Sequence, residues 1–295
     1  MKASFFACVV APCLLGLVAD LAAESARPAP HVIAHSELRV LPPNAAGRHY
    51  QLHIGLPSNY AEEPEKRYPV VYVTDAYWDF GKISAIQGSL VYDKVAPEFI
   101  TVGLGYAGEG LDHAAMRLWE LAPVPMVGFA ADPSATGHAA AFLASLENEI
   151  IPFVEREYRA DPRQRVLAGA SLGGLFTLYT LYTKPEFFQG YVAATPSVFL
   201  GDDWILGYEE SFVRSGRPLR GRLFVAVGGD ESARYVGAVL RYNYRVQSRR
   251  HPELAYAFRL IDGERHAGVQ FDAYVRGLQF VFAPVAPETG ASDFP

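Results

Sequence analysis

The chain has 295 residues, of which 50% are hydrophobic and 20% are charged, and its formal net charge is −6. This composition supports one large buried core and excludes a mostly disordered chain, so we expect a single domain over residues 24–295. An acidic chain without a basic stripe is a poor nucleic-acid binder, and we expect no nucleic-acid partner. Because the sequence has no zinc-ligand spacing, Walker loop or EF-hand pattern, we also expect no metal or other cofactor.

The amino terminus has the pattern of a secretory signal peptide. Lys2 precedes an apolar stretch, and small residues end at Ala23, so residues 1–23 are interpreted as a signal peptide. The apolar stretch is short for the alternative, a membrane anchor, so we expect no transmembrane segment in the mature chain. Cys8 and Cys13 are the two cysteines of the chain, and both would be removed. The pattern predicts a periplasmic or secreted protein without disulfides.

Two strands are predicted at the start of the mature domain. Residues 36–41 and 50–56 flank a proline-containing turn, which is typical of an antiparallel hairpin. In the second strand, His49 and His53 alternate with the apolar side chains. We therefore expect these histidines to be solvated rather than to bind a ligand.

The rest of the domain alternates between strand and helix patterns. Apolar runs typical of buried strands occur at residues 68–74, 98–104, 165–170, 191–194, 223–227 and 254–261. Helical patterns include an amphipathic helix from His138 and a last helix over residues 269–280, whereas residues 105–137 show little periodicity and are expected to form a loop. This alternation predicts an α/β fold whose central sheet, of about eight strands, is mostly parallel with helices on both faces.

The run at residues 165–170 leads into a GxSxG motif centred on Ser171. Such a motif places its serine on a strained turn between strand and helix, where the glycines avoid steric clashes. The helix that begins at Leu172 directs its first N–H groups to the same place, where they would stabilise an anion. The motif predicts Ser171 as a nucleophile, and the alternative is a glycine-rich turn that only packs tightly.

A base and an acid for this serine are sought at the carboxyl ends of the strands, where the catalytic groups of such sheets lie. Hydrolases with this motif have the chain order serine, acid, histidine, so His251 and His266 qualify. His251 precedes the last predicted strand and His266 follows it, which favours His266 as the base. Asp230 and Glu231 both follow the strand at residues 223–227, and either carboxylate could orient the imidazole.

These motifs resemble those of the bacterial putative-esterase family of α/β-hydrolases, in the branch that contains the trilactone siderophore esterases. The resemblance is carried by residues 142–152, 169–176, 195–197, 228–231 and 263–267. It implies the α/β-hydrolase fold, and it implies Glu231 as the acid, since relatives place the acid three residues after the strand-ending glycine. It further implies that the N–H groups of Leu172 and Tyr77 form the oxyanion hole.

The resemblance also implies an activity and a substrate class. The expected protein is a serine esterase that hydrolyses carboxylic ester bonds through an acyl-enzyme, with an enterobactin- or bacillibactin-type trilactone siderophore, ferric or iron-free, as substrate. Such an anionic, aromatic ester would bind guanidinium groups and aromatic faces, for which Arg117, Arg234 and Trp78 are candidates. The alternatives are a feruloyl or acetyl esterase, an acyltransferase, and a non-catalytic periplasmic binding protein of the same fold.

Overall fold

A computed structural model describes residues 32–249 and 251–286, which contain a sheet of eight strands. The strands are β1 (Ser36–Val40), β2 (Tyr50–Gly55), β3 (Tyr68–Val73), β4 (Ile100–Tyr106), β5 (Ala160–Ala170), β6 (Gly190–Ala194), β7 (Gly221–Gly228) and β8 (Leu254–Ile261). Their order across the sheet is β1-β2-β4-β3-β5-β6-β7-β8. The first two strands pair antiparallel with their neighbours, and all pairs from β4 to β8 are parallel. The predicted α/β-hydrolase sheet is confirmed.

Helices connect the strands. They are α1 (Ala76–Tyr92), α2 (His113–Leu121), α3 (Ala139–Ser145), α4 (Ile151–Glu157), α5 (Leu172–Thr183), α6 (Leu200–Arg214), α7 (Ala233–Arg249) and α8 (Val269–Phe282). A π-helical turn over Leu146–Ile150 joins α3 to α4. The helix predicted from His138 is therefore continuous through a π-bulge. The first turn of α6 is kinked at Gly201 and the two aspartates that follow it.

Alternate side chains of the central strands enter two separate cores. On β3, Val70 and Tyr72 belong to a cluster that includes side chains of α3 to α7, whereas Val71 and Val73 belong to a cluster with α1 and α8. Successive side chains of a strand point to opposite faces of its sheet. Helices therefore cover both faces, which explains why the central strands read as continuous apolar runs.

The segment expected to be a loop between β4 and α3 contains a helix, and that prediction is wrong. Residues 113–121 form α2, which begins where the Asp112 carboxylate accepts a hydrogen bond from the N–H of Ala115 at 3.0 Å. The sequence pattern hides this helix because one of its inward positions is charged. Glu120 is fully buried, where it pairs with Arg48.

The signal peptide predicted for residues 1–23 lies outside the described residues. Within residues 32–249 and 251–286, none of the helices combines the length and the apolar character that a bilayer span requires. Across that same part of the chain, no three side chains of His, Cys, Asp or Glu are grouped closely enough to hold a metal ion.

Candidate active site

The predicted site residues follow the carboxyl ends of parallel strands, and these ends meet at one edge of the sheet. Ser171 follows β5, Glu231 follows β7 and His266 follows β8. Ser171 and His266 line one cavity of about 260 Å³. The other residues that line it are Asp75, Trp78, Asp79, Lys82, Arg117, Ala170, Ala267 and Gln270.

Ser171 occupies the strained turn that its motif predicts. Its backbone has φ 59° and ψ −117°, which is costly for a residue that carries a side chain. The Ser171 N–H donates to the carbonyl of Ala194 on β6 at 2.9 Å, and its own carbonyl accepts from the N–H of Ser197 at 3.0 Å. A Cβ atom at Gly169 would lie 2.5 Å from the carbonyl carbon of Gly173, so a glycine is needed for β5 and α5 to approach this closely.

The Ser171 hydroxyl lies beside two hydroxyl groups that were not predicted to belong to the site. Its Oγ is 3.3 Å from the Oγ of Ser197 and 3.5 Å from the hydroxyl of Tyr235. The Tyr235 hydroxyl also donates to the carbonyl of Thr195 at 3.0 Å, and its ring meets the His266 ring edge-on, with 4.9 Å between ring centres. Burial raises the pKa of Tyr235 to about 12, so this hydroxyl keeps its proton at neutral pH.

A signal for one of these two residues was present in the sequence. Ser197 belongs to a segment, residues 195–197, that carries the family resemblance. Tyr235 lies on the first turn of α7 and belongs to no motif. It reaches Ser171 through the packing of α7 against β7, which a sequence pattern does not encode.

Glu231 contacts His266, whereas Asp230 is exposed. One oxygen of Glu231, Oε2, is 2.7 Å from Nδ1 of His266. The other, Oε1, accepts hydrogen bonds from the N–H of Gly228 at 3.0 Å and from the hydroxyl of Thr195. The contact at Nδ1 leaves Nε2 as the ring nitrogen available to a substrate in the cavity.

The same contacts keep the Glu231 carboxyl ionised. Burial alone would raise the pKa of Glu231, but its hydrogen bonds with His266, Thr195 and the Gly228 N–H outweigh burial. Together they hold the pKa of Glu231 below its usual value. A carboxylate at this position can stabilise a cationic imidazole at neutral pH.

The cations of the cavity are paired with its carboxylates. Arg117 donates from Nε to Oδ1 of Asp75 at 2.8 Å and from Nη2 to Oδ2 at 2.9 Å. The ammonium of Lys82 lies 2.5 Å from Oδ1 of Asp79 and also donates to Gln270. Arg117 therefore lies at the cavity, as expected for a substrate-binding residue, but its charge is already balanced by Asp75.

The other residues predicted to bind substrate or to stabilise an oxyanion do not all line this cavity. Trp78 lines it and is exposed, and Arg234 covers the Phe199 ring, with its guanidinium carbon 4.8 Å from the ring centre. Leu172 is the first residue of α5 and Tyr77 the second of α1. Because the first N–H groups of a helix have no acceptor within that helix, both N–H groups are free to bind an external oxygen.

A second cavity, of about 160 Å³, shares Asp75 and Trp78 with the first. It is lined in part by His53, on a strand face that was expected to be solvated. The His53 ring instead packs edge-on against Phe80, with 5.4 Å between ring centres, and burial lowers the pKa of this histidine. His53 is thus half-buried rather than solvated.

Comparison with known proteins identifies the family. The family model described as "Putative esterase" matches residues 44–213, more than half of the chain. The ferri-bacillibactin esterase BesA of Bacillus subtilis is 28% identical over 86% of this chain and 92% of its own. The siderophore triacetylfusarinine C esterase of Aspergillus fumigatus is 26% identical over 87% of this chain and 96% of its own. The crystal structure of the BES protein from Bacillus cereus, 27% identical, matches with a TM-score of 0.77 over 86% of this chain and 97% of that chain. The chain belongs to the putative esterase family of hydrolases.

Proposed function

We propose that the protein is a serine esterase that hydrolyses the ester bonds of a siderophore through an acyl-enzyme. The observation that carries this proposal is the contact between Glu231 and His266. His266 lines the same cavity as Ser171, which lies on a strained turn. Membership of an esterase family supports ester hydrolysis. The N-terminal sequence supports action in the periplasm or outside the cell, after removal of residues 1–23.

In the acylation step, Oγ of Ser171 attacks the ester carbonyl carbon and Nε2 of His266 takes the hydroxyl proton. Glu231, bound at Nδ1, holds the ring in the required tautomer and stabilises the imidazolium that forms. The bond between the carbonyl carbon and the alkoxy oxygen then breaks, and His266 gives its proton to that oxygen. In a cyclic ester the new hydroxyl group stays on the acyl chain that is bound to Ser171, and in an open-chain ester it leaves as a separate alcohol.

Deacylation repeats these steps with water as the nucleophile. Nε2 of His266 takes a proton from the water while its oxygen bonds to the acyl carbon. The bond to Oγ of Ser171 breaks, and His266 returns the proton to Oγ. One ester bond and one water molecule are consumed, and one hydroxyl group and one carboxylic acid group are formed.

Negative charge develops on the carbonyl oxygen in both steps. The N–H groups of Leu172 and Tyr77 are proposed to bind this oxygen, since each lies at the start of a helix that begins beside Ser171. Losing one such donor costs about 3 kcal/mol of transition-state stabilisation.

The siderophore part of the proposal is supported by the relatives. One is named a ferri-bacillibactin esterase and another a siderophore esterase, and each matches this chain over most of its length. In this chain, Trp78 offers an exposed aromatic face at the cavity, and Arg234 offers a guanidinium beside Phe199. These two residues are proposed to contact the bound ester.

The proposal is tested by comparing kcat/KM for ferri-bacillibactin, iron-free enterobactin and methyl ferulate. We expect a siderophore ester to give the highest value, and we expect Ser171→Ala to abolish hydrolysis of all three. Faster hydrolysis of methyl ferulate would contradict the siderophore assignment but not the serine esterase. Transfer of the acyl group to an added alcohol in preference to water would indicate an acyltransferase. Siderophore binding without hydrolysis would indicate a binding protein.

A further inference from the structure

Asp75 begins α1 in a conformation that requires support from outside the helix. Its backbone is left-handed, with φ 54° and ψ 50°, and its side chain makes no capping hydrogen bond to the helix. An aspartate at this position commonly caps its own helix. Here the carboxylate accepts two hydrogen bonds from Arg117, in a pair whose side chains are 4% and 21% exposed.

The turn that Asp75 forms carries the second proposed oxyanion donor. The Asp75 carbonyl accepts hydrogen bonds from the N–H groups of Trp78 at 2.8 Å and Asp79 at 3.0 Å, which closes the turn around Tyr77. The Asp75 carboxylate also lies against the start of α5, because a Cβ atom at Gly173 would be 3.2 Å from its Oδ2. The Asp75 carboxylate thus lies between the turn that contains Tyr77 and the helix that follows Ser171.

The helix that carries Arg117 is itself fixed to the sheet. Glu120, one turn later on α2, is fully buried. It accepts hydrogen bonds from Nε of Arg48 at 2.8 Å and from the hydroxyl of Tyr50 at 3.0 Å. Because Tyr50 belongs to β2, this contact anchors α2, the helix that carries Arg117, to the sheet.

Helix α2 makes further contacts with the same turn. The guanidinium carbon of Arg117 lies 5.8 Å from the ring centre of Trp78. His113, on the first turn of α2, stacks on the ring of Tyr77 with 4.9 Å between ring centres. Three of the four positions from Asp75 to Trp78 thus contact α2 or its arginine.

We propose that Arg117 is a positioning residue for the oxyanion hole. Its two-point ion pair with Asp75 holds the turn so that the Tyr77 N–H meets the oxyanion in the transition state. This inference rests on the proposed serine esterase function. It differs from a role in binding substrate anions, because Asp75 already neutralises the guanidinium. Loss of Arg117 should therefore reduce the rate of the chemical step for every ester, charged or neutral.

The test compares Arg117→Ala and Arg117→Lys on p-nitrophenyl butyrate, a neutral ester, and p-nitrophenyl hemisuccinate, an anionic one. Complete loss of an oxyanion donor lowers kcat by about 10²–10³-fold, so a displaced donor should lower it by about 10–100-fold. We expect this loss in Arg117→Ala on both esters, with little change in KM. Lysine keeps the charge but not the two-point geometry, so Arg117→Lys should recover part of kcat.

The matched control is Arg276→Ala. Arg276 lies on α8, its side chain is 52% exposed, and it pairs with Asp272 one turn away. This variant loses the same charge outside the cavity and should keep the wild-type kcat. Thermal unfolding identifies variants that do not fold. If Arg117→Ala is unfolded, kcat is measured on Arg117→Lys, because its lysine still balances the charge of the Asp75 carboxylate.

Two results would overturn the inference. An increase in KM for the anionic ester alone would assign Arg117 to substrate binding, and an unchanged kcat in both Arg117 variants would remove the positioning role. Labelling of Ser171 by a fluorophosphonate separates these results from failure of the proposed function. A wild-type protein whose Ser171 is not labelled contradicts the serine esterase and this inference with it. Labelled wild type with unaffected Arg117 variants contradicts the inference alone.

Discussion

Two adjacent carboxylates after β7 have different environments, and only one contacts the imidazole. The Glu231 side chain is 2% exposed and meets Nδ1 of His266 at 2.7 Å, whereas Asp230 points to solvent. The residue types alone could not show which carboxylate contacts His266, because the difference lies in the backbone path of the turn. The family resemblance did favour Glu231, through its distance from the strand-ending glycine.

This difference predicts unequal effects of two conservative substitutions. Glu231→Gln keeps the shape of the side chain but removes the charge that orients His266, and an equivalent change in a serine protease lowers kcat by about 10⁴-fold. We expect a loss of about 10³–10⁴-fold here. Asp230→Asn should change kcat by less than about threefold, since surface substitutions outside a contact network have small effects. Steady-state hydrolysis of p-nitrophenyl butyrate measures both, and similar losses in the two variants would show that the turn matters rather than one carboxylate.

The same carboxylate makes a pH-dependent contribution to stability. Hydrogen bonds in the folded chain hold the pKa of Glu231 below its ordinary value of 4.5. The ionised carboxylate therefore stabilises the fold above that pH, and this contribution disappears as the pH falls through the folded-state pKa. The difference in Tm between wild type and Glu231→Gln should be larger at about pH 5 than at about pH 3. Thermal unfolding at the two pH values measures it, and a constant difference would contradict the shift.

Several contacts of the site join residues far apart in sequence, which explains why they were not predicted. Arg117 and Asp75 are 42 residues apart, and Tyr235 and Ser171 are 64 apart. Neither pair belongs to a motif with fixed spacing. Ser171 and His266, in contrast, could be predicted because each lies in a local motif after a recognisable strand.

At the scale of elements, the strand–turn–helix unit of β5 and α5 is defined by glycines that allow close packing. Gly169 faces the backbone of Gly173, and both lie near the buried side chain of Thr74 at the end of β3. The motif predicted this unit because its glycines have a steric cause that is local. Helix α2 was missed because its buried Glu120 interrupts the apolar pattern, and its partner Arg48 lies on another part of the chain.

Alanine substitution of two glycines should have opposite effects on stability. In Gly169→Ala, the new Cβ atom would lie 2.5 Å from backbone atoms of Gly173, so β5 and α5 must separate. We expect a loss of more than about 2 kcal/mol of unfolding free energy, together with lower esterase activity. In the control Gly88→Ala, on α1, the Cβ atom meets nothing within 4 Å. Helix propensity should stabilise that variant by about 0.5–1 kcal/mol.

Chemical denaturation of both variants measures these changes. Equal stability of Gly169→Ala and wild type would mean that β5 and α5 are not in close contact. Destabilisation by Gly88→Ala would mean that the outer face of α1 is covered.

At the scale of the whole molecule, one edge of the sheet collects residues from the entire described chain. Parallel strands bring Asp75, Ser171, Glu231 and His266 to their carboxyl ends, although these residues span most of the domain. The overall charge of −6 does not predict the charge of the cavity, because Asp75 and Asp79 pair locally with its cations, Arg117 and Lys82. The mostly parallel sheet could be predicted from the alternation of strands and helices, whereas the order of its strands and the pairing of charges within the cavity could not.

Covalent labelling shows whether Ser171 is the nucleophile of an esterase. A fluorophosphonate should add one label per chain, mapped by mass spectrometry to the peptide that contains Ser171, and esterase activity should disappear in proportion. Ser171→Ala should remain unlabelled and inactive, and His266→Ala should react far more slowly, because the serine loses its base. Stoichiometric labelling of another residue, or wild-type activity in Ser171→Ala, would show that Ser171 is not the nucleophile.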